Sequence, residues 1–482
     1  FLENGPRMLE FFERETEVKF ALAEYPDYHP DREGGISIGR SVAPLPYDAR
    51  RLGPEMRRLR KPLETITFLG MMFNSANRDL KHFFNVTRSP VSALYVARRL
   101  AAHMKELALY RRGVQLTSGN ALAARLAKSA LDLGIPILTE TPLQSLVIED
   151  GRVRGAVVGG PEGERRILAR RGVVLAAGGH PHDLTRLART YAHVRRGGEH
   201  LSPSPTGNTG DAVALAEKAG AAVEEGYPNA AAWMPVSRVP LGGGRSGVFP
   251  HLVDRYKPGV ILVNRHGRRF CNESNSYHDV GEAMQRTCEG EAETAAWLIA
   301  DRATLRKYGL GHVKPAPMPL GPHLRNGYLL RGRTLAELAG RAGIDAAGLE
   351  ATVARYNEGA VRGEDPEFGR GSTAFNRFLG DPDHKPNPNV GPIRKGPFYA
   401  VKLVMGDLGS FNGLLTDAAC RVLRADGVPI PGIYAVGNDA ASVMGGSYPG
   451  AGITLGPILT FGYVAGRHLA ELRDAVPERT AA

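Results

Sequence analysis

Apolar and polar positions follow a regular pattern between residues 113 and 180. Within this stretch, apolar residues recur at helical spacing over 122–133, and Gly134 follows where such a helix would end. The apolar segment 135–140 comes next and predicts a strand, and a later apolar run ends on the Gly-Gly pair at 178–179. This order of helix and strand predicts part of an α/β sheet layer.

The C-terminal part repeats the order of strand, glycine-rich loop and helix. An apolar strand ends on Gly437 and Asn438, a loop rich in Gly and Ser follows, and a helical pattern begins near Thr454. The backbone N–H groups at the start of a helix carry partial positive charge and favour an anionic ligand. We expect this loop and the one at 178–179 to approach one extended ligand from the same edge of a sheet.

The composition changes between 230 and 409, where long loops rich in Pro, Gly and Arg alternate with scattered helices. A chain of 482 residues is also longer than the roughly 250–300 residues at which a single core stops growing. We therefore predict an α/β fold with a discontinuous Rossmann-like domain, residues 1–229 and 410–482, and an inserted α+β domain, residues 230–409. The role of residues 54–112, which include a basic helix, stays open between a surface or inter-domain helix and a membrane-docking helix.

The formal charge of +11 arises from 61 basic against 50 acidic residues. No zinc-type spacing, RNA-binding motif or basic run with interleaved aromatic residues accompanies this charge. We therefore expect a solvated basic surface or an anionic cofactor, and no nucleic-acid partner. The longest apolar stretch, 452–466, is interrupted by Gly and Pro and is shorter than the ~20 residues that span a bilayer, which predicts no transmembrane segment.

The three cysteines, Cys271, Cys288 and Cys420, show no CxxC or other metal-binding spacing. This usage argues against a disulfide scaffold and against metal catalysis. It is typical of the reducing cytoplasm, where we expect the protein to be.

Several longer segments carry a specific resemblance. In chain order these include GVVLAAGG, TGNTGDAVALAEKAGA, GVILVNRHGRRFCNES, YNEGA and SYPGAGITLGPILTFGYVAGRHLA. They resemble the FAD-dependent 3-ketosteroid dehydrogenases and, more widely, the fumarate reductase and succinate dehydrogenase flavoprotein family, over nearly the whole chain except 54–112. The resemblance implies an FAD cofactor, with residues 230–409 capping the substrate. Family members begin with a strand, a GxGxxG turn and an acidic residue, and since this sequence has none of these, we expect an N-terminally truncated chain.

The resemblance also implies four catalytic positions. Tyr277 follows an Asn-Glu-Ser triplet and corresponds to the base that takes a proton from the steroid A ring, with Tyr28 of the YPDYHP segment as its partner. Tyr448 and Gly452 of the YPGAG segment correspond to the groups that hold the ketone oxygen. On the cofactor side, the resemblance implies residues of the two glycine loops and the last helix: Ala177, Gly178, Gly179, Gly437, Asn438, Ile453, Thr454 and Leu455.

These residue types suit the removal of two hydrogens beside a ketone. A base must take the proton next to the carbonyl, an acceptor such as flavin must take the hydride, and each donor to the carbonyl oxygen stabilises the developing enolate by about 3–4 kcal/mol. A tyrosine with a pKa of about 10 is a weak base at neutral pH unless its phenolate is stabilised, which a Tyr28 hydroxyl beside Tyr277 would do. Any one of the 16 tyrosines is more often a packing group, so the matching set supports the assignment.

We therefore expect an FAD-dependent oxidoreductase that acts on CH–CH groups and converts the A ring of a 3-ketosteroid to a conjugated enone, with an unidentified electron acceptor. Two alternatives stay open: a reductase of an activated C=C bond, and a non-catalytic fragment of the same fold. His29, His180 and His182 have no partner spacing and are not predicted to be acid–base groups. We find no pattern of histidine and arginines that would grip a dicarboxylate, which favours a neutral hydrophobic ketone as substrate.

Overall fold

A computed structural model of the chain describes residues 1–73, 78–161 and 163–472. Its α-helices are α1 (Asn4–Glu15), α2 (Arg78–Phe84), α3 (Pro90–Tyr110), α4 (Ser118–Asp132), α5 (Leu184–Thr190), α6 (Ala192–Arg195), α7 (Asp211–Lys218), α8 (Tyr277–Thr287), α9 (Arg302–Tyr308), α10 (Gly321–Arg325), α11 (Leu335–Ala342), α12 (Ala346–Ala360), α13 (Ala374–Phe378) and α14 (Leu455–Glu471). Its strands are β1 (Phe20–Ala23), β2 (Ser41–Pro44), β3 (Tyr47–Asp48), β4 (Gln115–Leu116), β5 (Leu143–Glu149), β6 (Arg152–Val158), β7 (Arg165–Leu168), β8 (Val173–Leu175), β9 (His200–Leu201), β10 (Val223–Glu224), β11 (Ala231–Gly242), β12 (Arg245–Pro250), β13 (Val260–Val263), β14 (Ala295–Asp301), β15 (Leu330–Gly332), β16 (Phe398–Ser410), β17 (Gly413–Leu414), β18 (Arg421–Leu423) and β19 (Pro429–Ala435).

The largest sheet of the described residues has seven strands. Its path is β12-β11-β16-β14-β13, and β15 and β9 also pair with β16. Neighbouring strands are antiparallel, except that β9 is parallel to β16. Apart from β9 and the last residue of β16, these strands lie within 230–409, the segment predicted as the inserted domain. The bounds of the two domains stay a prediction.

Apolar side chains cover both faces of this sheet. Along β14, Leu298 packs in one core, and its neighbours Trp297 and Ile299 pack in the other. Successive side chains of a strand point to opposite faces, so two covered faces require a continuous apolar run. Helix α8 covers the first face through Val280 and Met284. Each fully buried side chain of this size contributes roughly 1.5–3 kcal/mol, and α8 is thereby held firmly against the sheet.

A smaller sheet joins the C-terminal part of the chain to the region around residue 175. Strand β19 is parallel to β8 and antiparallel to β18. Because β8 and β19 run in the same direction, the segments 177–179 and 437–438 that follow them lie at the same edge of the sheet. This edge is where the sequence pattern predicts a ligand.

The predicted strand over 135–140 is not formed. The backbone there is irregular, and Ile135 and Leu138 are each 51% exposed. A strand needs a neighbour for its backbone N–H and C=O groups, and no strand of residues 1–73, 78–161 or 163–472 pairs with this segment. The helix predicted before it is present as α4, which ends at Asp132.

Part of the region 54–112 packs against the seven-stranded sheet. The Thr65 hydroxyl donates a hydrogen bond to the Val248 carbonyl of β12, and His312 Nδ1 lies 2.9 Å from the Thr65 carbonyl. Among the helices that the structure describes, none combines the length and apolar composition needed to cross a membrane.

Candidate active site

Three of the four predicted catalytic residues, Tyr28, Tyr277 and Tyr448, meet in one buried cluster. The Tyr28 hydroxyl donates a hydrogen bond of 3.0 Å to the Tyr277 hydroxyl, across 249 positions of sequence. The Tyr448 ring stacks on the Tyr28 ring, with 5.4 Å between centroids and 5° between planes. It meets the Tyr277 ring edge-on at 5.1 Å and 76°. The fold therefore brings the three tyrosines into mutual contact.

Hydrogen bonds of the backbone hold the segments that carry two of these tyrosines. Tyr277 is the first residue of α8, and the Ser276 hydroxyl accepts a hydrogen bond of 3.1 Å from the Asp279 N–H, which caps the helix. The Tyr28 N–H donates to the Pro449 carbonyl at 3.1 Å. The loop that carries Tyr28 and the YPGAG loop are thus held to each other through their backbones.

Gly452, the fourth predicted catalytic residue, adopts a φ of +86°, a conformation that L side chains rarely take. A Cβ at this position would meet no atom within 4 Å. The backbone conformation, and not crowding, therefore requires glycine here. The next residue, Ile453, packs in the same buried cluster as the three tyrosines.

Burial raises the pKa of all three hydroxyl groups. The pKa of Tyr448 rises to about 12, and those of Tyr28 and Tyr277 rise well above the ordinary value of 10.0. The Tyr28 hydroxyl donates to the Tyr277 oxygen, and a donated hydrogen bond stabilises a phenolate at Tyr277. Burial therefore disfavours a phenolate in the cluster, and the Tyr28 hydroxyl, 3.0 Å away, is the group placed to stabilise one at Tyr277.

Further aromatic residues surround the tyrosines. The ring of Phe375 lies 4.6 Å from that of Tyr28, and the rings of Tyr25 and Phe378 are also 4.6 Å apart. Tyr256 is fully buried, and its ring meets Phe375 edge-on at 5.8 Å. Sequence reasoning missed these neighbours, because a single aromatic residue in a loop indicates packing and does not show what it packs against.

A cavity of about 390 Å³ adjoins the cluster and shares Phe411 with it. Four of the predicted cofactor residues line this cavity: Gly437, Asn438, Ile453 and Thr454. Sequence reasoning missed the polar lining residues Ser410, Thr416, Asp417 and Ser442. They come from the end of β16 and from loops, where no residue pattern marked them.

The start of α14 is part of this cavity. Thr454 and Pro457 line it, and no side chain caps the helix at Thr454. Backbone N–H groups at an uncapped helix start carry partial positive charge and favour electron-rich ligand atoms. With hydroxyl groups and apolar walls around them, these residues fit a flat, largely apolar ring system with a polar edge, such as the flavin of FAD. Leu455, the first residue of α14, is 46% exposed and lies outside the cavity lining.

The segment 177–179 is engaged with the protein itself. The Ala177 and Gly179 N–H groups both donate to the Asp439 carboxylate, the second at 2.9 Å. A Cβ on Gly179 would lie 2.3 Å from Ser410 Oγ, so this backbone approaches its neighbour closely. Ala177, Gly178 and Gly179 lie outside the cavity lining, and their part in cofactor binding stays a prediction.

The three histidines that were not predicted to be catalytic, His29, His180 and His182, differ in their contacts and burial. His29 Nε2 lies 3.5 Å from the Asp279 carboxylate, and a hydrogen bond to that carboxylate raises the pKa of His29. His180 is wholly buried, and burial lowers its pKa to about 4. His182 Nε2 lies 3.2 Å from the Ser204 carbonyl.

The chain is similar to several known proteins. The sequence profile of a family described as the FAD binding domain matches residues 1–455. The 4-oxocyclohex-2-ene-1-carboxylate 5-dehydrogenase of Sinomonas cyclohexanicum is 45% identical over 477 residues, which cover 98% of this chain and 80% of that protein. The 3-oxosteroid 1-dehydrogenase of Mycolicibacterium smegmatis is 37% identical over 484 residues, which cover 98% of this chain and 82% of that protein.

A solved structure is similar as well. The crystal structure of 3-ketosteroid Δ1-dehydrogenase from Sterolibacterium denitrificans, in complex with 1,4-androstadiene-3,17-dione, matches with a TM-score of 0.87 and 35% identity. The match covers 97% of this chain and 84% of that one. The predicted α/β flavoprotein fold with a capping domain and the predicted FAD cofactor are confirmed. The chain belongs to the FAD-binding family of fumarate reductase and succinate dehydrogenase type, and it is an FAD-dependent oxidoreductase of the Δ1-dehydrogenase-like kind that acts on CH–CH groups.

Proposed function

We propose that the protein dehydrogenates a six-membered cyclic ketone at the carbon–carbon bond next to the carbonyl and yields a conjugated enone. The observation that supports this most is the hydrogen bond of 3.0 Å between the Tyr28 and Tyr277 hydroxyls, beside the Tyr448 ring. A pair of phenols suits proton removal from an activated carbon, because the partner hydroxyl stabilises the phenolate that acts as base.

In this proposal Tyr277 takes the proton next to the carbonyl, and Tyr28 donates a hydrogen bond to the phenolate. The Tyr448 hydroxyl and the Gly452 N–H donate to the ketone oxygen, where the negative charge of the enolate develops, and each is worth about 3–4 kcal/mol. The open space beside Gly452 supports its role, because a backbone amide reaches a ketone only where no side chain intervenes. The dry surroundings of the cluster strengthen these hydrogen bonds.

We propose that residues of two glycine loops and of the start of α14 hold FAD: Ala177, Gly178, Gly179, Gly437, Asn438, Ile453, Thr454 and Leu455. The cavity that four of them line, with the uncapped start of α14, supports a flavin ring at this place. When bound, FAD supplies the acceptor for the hydride from the carbon next to the deprotonated one. An external electron acceptor is needed to complete turnover.

The proposed arrangement also uses both predicted domains. Tyr277 belongs to residues 230–409, which we propose to cap the substrate. Tyr28 and Tyr448 belong to residues 1–229 and 410–482, which we propose to bind FAD. The hydrogen bond between Tyr28 and Tyr277 would then join the two domains at the reacting ring.

Two substrate classes are consistent with this chemistry, and a different observation favours each. The aromatic residues around the tyrosines, Tyr25, Phe375 and Phe378, favour a ketone on an apolar ring system, and the 3-ketosteroid A ring is our first candidate. The identity of 45% to a dehydrogenase named for a 4-oxocyclohexene carboxylate favours a single ring with a carboxylate as the second candidate.

The experiment that tests the proposal is reduction of bound flavin by candidate ketones, followed by stopped-flow absorbance. Saturated and unsaturated 3-ketosteroids would be compared with 4-oxocyclohexanecarboxylate and its cyclohexene analogue. We expect a saturated ketone to bleach the flavin and to yield the enone. Reoxidation of pre-reduced flavin by enones, without reduction by any saturated ketone, would instead indicate a reductase. Purified protein that neither contains nor takes up flavin would indicate a non-catalytic chain.

A further inference from the structure

The residues just before Tyr277 form a buried turn outside any helix or strand. Glu273, Ser274 and Ser276 are completely buried, and Asn272 is only 6% exposed. A turn in this position has no ladder of backbone hydrogen bonds to fix it, so other groups must satisfy its carbonyls. Since Tyr277 is the next residue, whatever holds the turn also sets the position of the proposed base.

Side chains from two other segments hold three successive carbonyls of this turn, those of residues 273, 274 and 275. Arg255 Nη1 donates to the carbonyls of residues 273 and 275, the second at 3.3 Å. Asn376 Nδ2 donates to the carbonyl of residue 274 at 2.7 Å. The Tyr256 hydroxyl donates to the carbonyl of residue 275 at 3.1 Å. Each of these three carbonyls therefore has a side-chain partner.

Tyr256 also packs its ring in the buried cluster that contains Tyr28 and Tyr277, and one residue separates it from each side of the proposed base pair. Its hydroxyl holds Asn275, two residues before Tyr277. Its ring meets Phe375 edge-on at 5.8 Å, and Phe375 in turn lies 4.6 Å from the ring of Tyr28. Tyr256 is completely buried, so these contacts are not exchanged with water.

We infer that Tyr256 is a positioning residue, which sets the Tyr277 hydroxyl against the Tyr28 hydroxyl and against the carbon that loses its proton. Burial raises the pKa of Tyr256, so its hydroxyl keeps its proton and remains a donor at neutral pH. The inference rests on the proposed function, in which Tyr277 is the base. A displacement of about 1 Å in a catalytic group costs on the order of a hundredfold in rate, so a loosened turn has a measurable effect.

The test compares Tyr256→Phe with Tyr328→Phe in the flavin-loaded full chain. The control Tyr328 is also a buried phenol, and its hydroxyl lies 2.8 Å from Ser237 Oγ and accepts a hydrogen bond of 2.8 Å from the His312 N–H. It packs in the core of the seven-stranded sheet, in a different cluster from the proposed base pair. Each substitution removes one hydroxyl and keeps the ring, so a general effect of losing a buried hydrogen bond is present in both variants.

We expect Tyr256→Phe to slow flavin reduction by about ten- to a hundredfold with little change in the ketone concentration that gives half-saturation. The isotope effect from ketone deuterated next to the carbonyl should increase, because proton removal becomes the slower step. Amide hydrogen exchange over 273–276, which does not depend on turnover, should become faster. Tyr328→Phe should leave all three measurements near those of the parent.

Equal effects of the two substitutions, or parent-like values for Tyr256→Phe, would overturn the inference. Tyr277→Phe, measured alongside, separates this result from the proposed function. If Tyr277→Phe retains the parent rate, Tyr277 is not the base and the proposed function is wrong. If Tyr277→Phe is inactive while Tyr256→Phe behaves as Tyr328→Phe does, only the positioning role of Tyr256 fails.

Discussion

The tyrosine cluster and the cavity beside it share Phe411 and Ile453, but they are built from different kinds of chemical group. The cluster brings together tyrosine side chains from three distant segments, which touch through one hydrogen bond between hydroxyls and through ring contacts. The cavity is formed by loop backbone, small side chains and the start of a helix. Positions in the first site are therefore specified by residue type, and positions in the second mainly by backbone conformation.

This difference leads to opposite expectations for substitutions. Removing a hydroxyl from the cluster should impair chemistry and leave the cofactor bound. Adding a side chain where loop backbones approach each other should loosen cofactor and fold together.

The largest effect is expected from Tyr277→Phe, which removes the proposed base and keeps the ring. Flavin reduction by a ketone substrate should fall by about 10²–10⁴-fold, the range that general base catalysis supplies. The ketone should still bind and perturb the flavin spectrum. Stopped-flow absorbance measures the rate, and spectral titration measures binding. A rate close to that of the parent would contradict the assignment of Tyr277.

Tyr448→Phe removes one donor to the ketone oxygen and keeps the ring that stacks on Tyr28. Because this donor acts where charge develops, kcat should fall by about 10²–10³-fold with a small change in KM. Steady-state kinetics with an artificial electron acceptor would separate the two constants. A change confined to KM would show that Tyr448 binds substrate and transition state equally well.

Gly179→Ala tests the region where positions are set by backbone conformation, and Gly427→Ala is its control. Both glycines have positive φ, +77° and +80°, but a Cβ at 179 would lie 2.3 Å from Ser410 Oγ, whereas one at 427 meets nothing within 4 Å. The control should lose about 1–2 kcal/mol of unfolding free energy from backbone strain. Gly179→Ala should lose roughly 1–3 kcal/mol more from overpacking, together with flavin. Urea unfolding and flavin content of the purified variants measure both, and equal losses would refute the close approach.

Tyr28→Phe should have the mildest effect, and the effect should depend on pH. A base must be deprotonated to act, and burial raises the pKa of Tyr277, so flavin reduction should accelerate as the pH rises from neutral. Removing the hydroxyl that shares the charge should move this rise to higher pH by about one unit, with about a tenfold slower rate at neutral pH. Tyr25→Phe is the control, because the Tyr25 ring lies 6.3 Å from the Tyr28 ring and this substitution leaves the hydrogen bond between Tyr28 and Tyr277 in place. Identical pH profiles for Tyr28→Phe and the parent would argue against a shared phenolate.

The tyrosines that meet in the cluster could be picked out from the sequence, whereas the contacts of the loop backbone could not, and the reason is physical. Tyr28, Tyr277 and Tyr448 lie in recognisable short segments, and their side chains are the proposed reacting groups. The loop that contains Ala177 and Gly179 was predicted to approach a ligand, which stays a prediction, and the N–H groups of both residues donate to the Asp439 carboxylate. A local pattern shows that an N–H group is available, but it does not show which acceptor from a distant segment will reach it.

The segment 135–140 failed as a predicted strand for a related reason. Its apolar residues fit a strand, but a strand also needs a neighbour, which the hydrophobic pattern does not specify. Tyr256 illustrates the limit at the active site. Its importance comes from a hydrogen bond to Asn275 and a ring contact to Phe375, and both partners became visible only in the folded chain.

The hydrogen bond from the Tyr28 N–H to the Pro449 carbonyl has a consequence for how this site can change over evolution or by engineering. A bond between two backbones does not depend on which side chains those residues carry. The two loops therefore keep their alignment while neighbouring side chains are exchanged. Altering Tyr25 or Phe378 to admit a wider or narrower ring should thus change which ketones are accepted and leave the proposed reacting groups aligned. The range of substrates can then change while the reaction stays the same.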